Sequence, residues 1–122
     1  MENKTMFTIR ILEKPITILE LKKAASEGFG DLIKAVVDVE KSTMAVGGEL
    51  HVDMEILLIE ERGALRSDTW GFNLYPEKSG DEFIEFDSMI NLKPASGNRT
   101  RNVEDKTIQE NIKGIVSKYI AK

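Results

Sequence analysis

Between Met44 and Leu58 every even-numbered residue is apolar or glycine: Met44, Val46, Gly48, Leu50, Val52, Met54, Ile56 and Leu58. The odd positions inside this run carry Glu49, His51, Asp53 and Glu55. Alternation of period two marks a half-buried strand, because successive side chains point to opposite faces of a sheet. A chain with such a strand must build a sheet around it, covering one face and leaving the other polar. The same reading lines up three carboxylates and the chain's single histidine on the side away from the core.

The flanking segments extend the sheet. Phe7, Ile9 and Ile11 alternate as a first strand, which Pro15 ends. Thr17-Ile18-Leu19-Glu20 reads as a capping box, in which the hydroxyl and the carboxylate satisfy orphan amides at a helix start. Ile18, Leu21 and Ala25 share one face of that helix, and Gly28 and Gly30 supply left-handed residues to stop it. A second strand over residues 32–40 points Ile33, Ala35, Val37 and Val39 one way. With a two-residue turn at Lys41-Ser42, Val39 faces Met44, Val37 faces Val46, and Lys34 sits across from Glu49. Gly47-Gly48 is then a bend or close-approach point within the long strand.

Downstream, residues 60–68 form a polar loop, and Trp70, Phe72 and Leu74 give the next strand its inward face. After a turn at residues 77–81, Ile84, Phe86, Ser88, Ile90 and Leu92 continue inward along a fifth strand, closed by Pro94. Ile108, Ile112, Ile115, Val116 and Tyr119 recur at helical spacing. Gly114 costs that helix about 1 kcal/mol relative to alanine, which predicts a close packing contact there. The expected architecture is one α+β domain over residues 1–122: a two-layer, mainly antiparallel sheet of about five strands with two helices on one face, in the order β-α-β-β-β-β-α.

Composition narrows the function classes. Seventeen basic against 21 acidic residues leave a net charge of −4, which lacks the footprint of a general nucleic-acid binder. There is no cysteine, so disulfides, thiolate metal sites and thiol catalysis are excluded. The stretch Met6–Ile11 is short and interrupted by polar residues, arguing against a signal peptide or membrane span and for a cytoplasmic protein. No Walker sequence or Gly-x-Gly-x-x-Gly turn follows a strand, so no motif requires a cofactor.

Two constellations carry chemistry. With simple hairpin registers, Asn73, Tyr75, Glu85, Asp87 and Asn91 join Glu49, His51, Asp53 and Glu55 on the open face. Clustered carboxylates raise one another's proton affinity, which suits acid–base work, or bind a hard cation. The plain alternative is a solvated sheet face. Val36, Leu57, Ile59, Phe83 and Met89 fall on it too, and favour a covered face or a dimer contact. The second constellation is the loop Lys93–Asn102. There Asn98, Arg99 and Arg101 precede a helix start and suit an anion, unless Asn102 or Asp105 simply caps the helix. Ser88, inward-facing and without a histidine in local reach, is not read as a nucleophile.

Three segments carry a resemblance: Ala45-Val46-Gly47-Gly48-Glu49-Leu50-His51 with Asp53 and Glu55; Trp70-Gly71-Phe72-Asn73-Leu74-Tyr75-Pro76; and residues 86–91 through Gly97-Asn98-Arg99-Thr100-Arg101. Together they resemble an uncharacterised family of small prokaryotic proteins, a domain of unknown function. The resemblance brings no activity, substrate or catalytic residue. Three functions remain open. The first is binding of a polar or anionic small ligand between the acidic face and the arginine loop, through Glu49, His51, Asp53, Glu55, Asn73, Asp87, Asn91, Asn98, Arg99 and Arg101. The second is an acid–base or metal-assisted hydrolase using Glu49, His51, Asp53 or Asp87. The third is a scaffold or homodimer with the open face as interface.

Overall fold

The helix start at Thr17 forms as its capping box predicts, and it anchors the first half of the chain. In the computed structural model, which describes residues 7–121, the Thr17 hydroxyl accepts from the Glu20 amide at 3.1 Å and the Glu20 carboxylate accepts from the Thr17 amide at 2.9 Å. The leader reading of residues 1–6, and Lys122, lie outside the described residues. In chain order the elements are β1 (Arg10–Ile11), β2 (Ile16–Thr17), α1 (Ile18–Glu27), β3 (Ile33–Asp38), β4 (Thr43–Val46), α2 (His51–Arg62), β5 (Thr69–Leu74), β6 (Ile84–Glu85), α3 (Lys106–Tyr119) and β7 (Ile120–Ala121). Gly30, at φ 107°, turns the chain out of α1, while Gly28 does so at φ −111° without entering the left-handed region.

The α+β class and its five-stranded antiparallel sheet are as expected, with strand order β1-β4-β3-β5-β6. A short parallel pair, β2 with β7, lies beside it. Ile33, Ala35, Val37, Met44, Val46, Trp70, Phe72 and Leu74 point to one face and pack against Leu21 and Ala25 of α1 and Ile112, Ile115 and Val116 of α3. Two helices on one face follow from those stripes.

The opposite face is not open. The strand ends at Val46, and residues 51–62 are helical, so the predicted row of Glu49, His51, Asp53 and Glu55 does not exist as a row. The buried positions of α2 are His51, Met54, Glu55 and Leu58, a three-and-four spacing that belongs to a helix. Met54 and Leu58 join Val36, Ala45 and Ala64 in a second apolar cluster on that face. Gly63, at φ 69°, ends the helix, its amide donating to the Ile59 carbonyl at 3.1 Å. The domain thus has a third layer.

Other departures have local causes. The β3–β4 turn is longer than two residues, because an Asp38 carboxylate oxygen accepts from the Glu40 and Lys41 amides. Val37 therefore faces Met44 and Ala35 faces Val46, a shift of two residues that keeps both faces intact. Lys34 pairs with Asn73 rather than Glu49, since α2 carries the chain across β3 and β5 pairs on its far side. The expected fifth strand leaves the sheet after Glu85, and Met89–Asn91 is a single 3-10 turn. Gly114 is exposed with open space around it, so the predicted close contact is absent. Gly114→Ala should then raise stability by about 0.5–1 kcal/mol, through helix propensity alone. A thermal melt reads this directly, and a lowered midpoint would contradict it.

Candidate functional site

Where β6 stops, β5 lacks a neighbour at Gly71, and a side chain replaces it. Asn91 accepts from the Gly71 amide at 2.8 Å and donates to the Gly71 carbonyl at 2.9 Å, a strand-like pair made by one carboxamide. The same Nδ2 donates to the Arg101 carbonyl at 2.9 Å, and the Ser88 amide donates to it at 3.1 Å. These bonds hold the 86–91 segment and Arg101 beside the sheet, facing the start of α2. Gly71 has no room for a side chain: a β-carbon there would stand 2.7 Å from the Ser88 hydroxyl and 3.1 Å from the His51 ring.

Between these pieces lies a cavity of about 300 Å³, lined by Lys34, Leu50, His51, Val52, Asn73, Asp87, Ser88, Met89, Ile90 and Arg101. Four of the candidate residues read from the sequence thus converge: His51, Asn73, Asp87 and Arg101. Arg101 Nε donates to Asp87 at 2.7 Å, so the acidic strand and the arginine loop do meet. Asn73 donates to Glu85 at 2.9 Å. The Tyr75 hydroxyl donates to the same oxygen at 2.8 Å, which with burial and nearby carboxylates pushes Tyr75 up to about 12. Leu50 occupies the N-cap of α2 and offers no side-chain acceptor, while Asp53 is the acidic residue of the first turn.

His51 is 8% exposed, and its Nε2 lies 2.8 Å from the Phe72 carbonyl. A carbonyl only accepts, so Nε2 carries the hydrogen and Nδ1 is the free lone pair. Burial pulls its pKa from 6.5 down to about 4, helped by the Lys34 ammonium and resisted by the Phe72 carbonyl, Asp87 and Asn73. The Oδ1 of Asn73 is buried without a partner. An imidazolium would hydrogen-bond it, whereas the neutral ring does not. Because the folded value is depressed, the unfolded chain takes up the proton first. The contribution of His51 is therefore complete above about pH 6.5 and is lost as pH falls toward 4. A shift from 6.5 to about 4 corresponds to about 3 kcal/mol. Urea unfolding at pH 7 and pH 4 should show wild type losing about that much more than His51→Gln. Parallel losses would contradict the burial of a neutral ring.

A family profile described as "Protein of unknown function (DUF5674)" matches residues 10–119, which include every residue of this cavity. The chain belongs to that family. No curated protein and no solved structure matches it.

The remaining candidates of this DUF5674 chain lie apart from the cavity. Glu49 and Asp53 are exposed, while Glu55 is 2% exposed and accepts from the Thr69 hydroxyl at 2.5 Å. Asn91 is a strand substitute, as described above. Asn98 is buried and donates to the carbonyls of Asn91, Thr100 and Asn102, while accepting from the Glu104 amide. The Arg99 amide and the Thr100 hydroxyl donate to Glu104. Asp105 caps α3 through the Thr107 and Ile108 amides, so the helix start expected to hold an anion is already occupied. Among the described residues no three His, Asp or Glu side chains gather as a metal set, and no helix is long and apolar enough to cross a membrane.

Lys34 and Ser88 escaped the sequence reading as site residues. A two-residue β3–β4 turn would set Lys34 across from Glu49, whereas it pairs with Asn73. Ser88 has no histidine near it in sequence, and only the helical form of residues 51–62 brings His51 to the same side of Gly71. Its hydroxyl accepts from the Ile90 amide at 3.3 Å, holding a turn.

Proposed function

We propose that this protein binds a small molecule in the cavity between α2 and β5, gripping it by an anionic group. The observation that carries the reading is the lining itself. Lys34 and Arg101 face one carboxylate, Asp87, and a neutral His51, leaving one positive charge in excess over a floor of Leu50, Val52, Met89 and Ile90. A pocket mostly apolar with a few convergent polar groups is the usual form of a small-ligand site. Binding is favoured over acid–base catalysis because a histidine near pKa 4 is a weak base at neutral pH, and its Nε2 is held by Phe72. The ligand class is a carboxylate or phosphate monoester with an apolar body.

Calorimetry with hexanoate, benzoate and inorganic phosphate tests this. Lys34→Ala should weaken hexanoate by about tenfold, the worth of one charge-assisted hydrogen bond. Arg99→Ala should leave affinity unchanged, since Arg99 does not line the cavity. Equal affinities for wild type and Lys34→Ala, or no saturable binding of any probe, would overturn the reading.

A further inference from the structure

A second cavity of about 270 Å³ adjoins the first. Val52, Met89 and Ile90 line both, so an apolar wall is shared between them. Beyond that wall the second cavity is lined by Glu55, Arg66, Leu92 and Lys93. Two cations against one carboxylate again leave one positive charge in excess.

The carboxylate of this second cavity is already engaged. Glu55 is nearly fully buried on the Thr69 hydroxyl, and Arg66 Nε stands 3.9 Å from it, too far for a hydrogen bond. The Lys93 ammonium is held by the Ile90 carbonyl at 2.8 Å and lies 4.9 Å from the Trp70 ring centroid. The Arg66 side chain is 72% exposed, so its guanidinium keeps donors facing outward. Between the two charged ends, Val52, Met89 and Leu92 present apolar side chains to solvent. A helix and a turn that expose these residues while burying His51 and Glu55 reverse the usual arrangement.

We propose that the two cavities hold one elongated ligand, a straight-chain aliphatic dicarboxylate. One carboxylate lies against Lys34, Arg101 and the start of α2, and the other against Arg66. The hydrocarbon middle covers Val52, Met89 and Ile90. The proposal rests on the anion-binding reading above and adds the second anchor and the apolar span. Charge complementarity selects the class: each end of the groove has one unbalanced positive charge, and the middle has none.

The test is calorimetry on the full chain with alkanedioic acids of increasing length, each beside the monoacid of equal length. Monoacid affinity should rise with length as methylenes cover the shared wall. Short diacids should bind no better than their monoacids. Once the chain reaches Arg66, the diacid should gain about tenfold over its monoacid. Arg66→Gln, which removes the guanidinium charge, should erase that gain and leave the monoacid unchanged. Met89→Asp, at a solvent-exposed position, should weaken long monoacids and diacids alike, with its melting point confirming the fold. If monoacids bind through Lys34 but no diacid exceeds its monoacid at any length, the second anchor is refuted and the anion site stands. If a diacid advantage survives Arg66→Gln, the assignment of Arg66 is refuted. If no acid of any length binds, both readings fail.

Discussion

Gly47→Ala is expected to lower stability by about 4 kcal/mol, and Gly30→Ala by only about 2. Both glycines sit in the left-handed half of φ space, at 98° and 107°, where a side chain costs about 1–3 kcal/mol. They differ in surroundings. A β-carbon on Gly47 would collide with the Thr8 carbonyl oxygen, whereas Gly30 has nothing within 4 Å. The difference between the two variants therefore isolates the close approach of the N-terminal segment from backbone strain. Urea midpoints measure it, and equal losses would mean that Thr8 yields freely. This junction matters for function, because Gly47 is where β4 ends and the chain turns toward α2, which brings His51 to the cavity.

Asn98→Ala should cost a similar amount for a different reason. Three carbonyls and the Glu104 amide lose their partner at once. The Asn98 carboxamide has two hydrogens to share among the three carbonyls, so with the accepted bond, at about 1 kcal/mol net for each, the loss is about 3 kcal/mol. Arg99→Ala, on the exposed side of the same loop, should stay within about 0.5 kcal/mol of wild type. A thermal melt of the two variants separates a structural loop from a ligand-contacting one. A mild Asn98→Ala would return that residue to the list of ligand contacts.

The inward faces of β3 and β5 and the stripe of α3 were readable because their apolar residues recur at strand or helix spacing, and the capping box of α1 because Thr17 and Glu20 stand three residues apart. The α2 segment was not. Its even-numbered residues as far as Leu58 are apolar, so Val52 and Ile56 look like core, yet they are exposed. Its helical stripe includes His51 and Glu55, which look like surface, yet they are buried. Burying those two polar groups beside the cavities is what disguised the helix. The signal that survives is composition and punctuation: Met54, Glu55, Leu57, Leu58, Glu60, Glu61 and Arg62 are strong helix formers, and Gly63 supplies the stop. Once residues 51–62 are helical, the rest of the correction follows, from the pairing of β5 with β3 to the meeting of His51 with Asn73. The contact of Asp87 with Arg101 was within reach of the sequence, since acidic strand and arginine loop were singled out together. Lys34 was not, because its place beside Asn73 depends on α2 carrying the chain across β3 so that β5 pairs on the far side.

The most direct test of the central claim uses the single histidine of the chain as its own reporter. Proton NMR of the imidazole, followed from pH 7 to pH 4 with and without hexanoate, reads the cavity itself. The free protein should show a ring that stays neutral until about pH 4. Bound carboxylate should move the signal saturably at neutral pH and raise the midpoint, because a nearby negative charge favours the imidazolium. Lys34→Ala should move the saturation of both responses to about tenfold higher hexanoate. An imidazole that ignores saturating hexanoate, or that titrates near 6.5 in the free protein, would contradict the account.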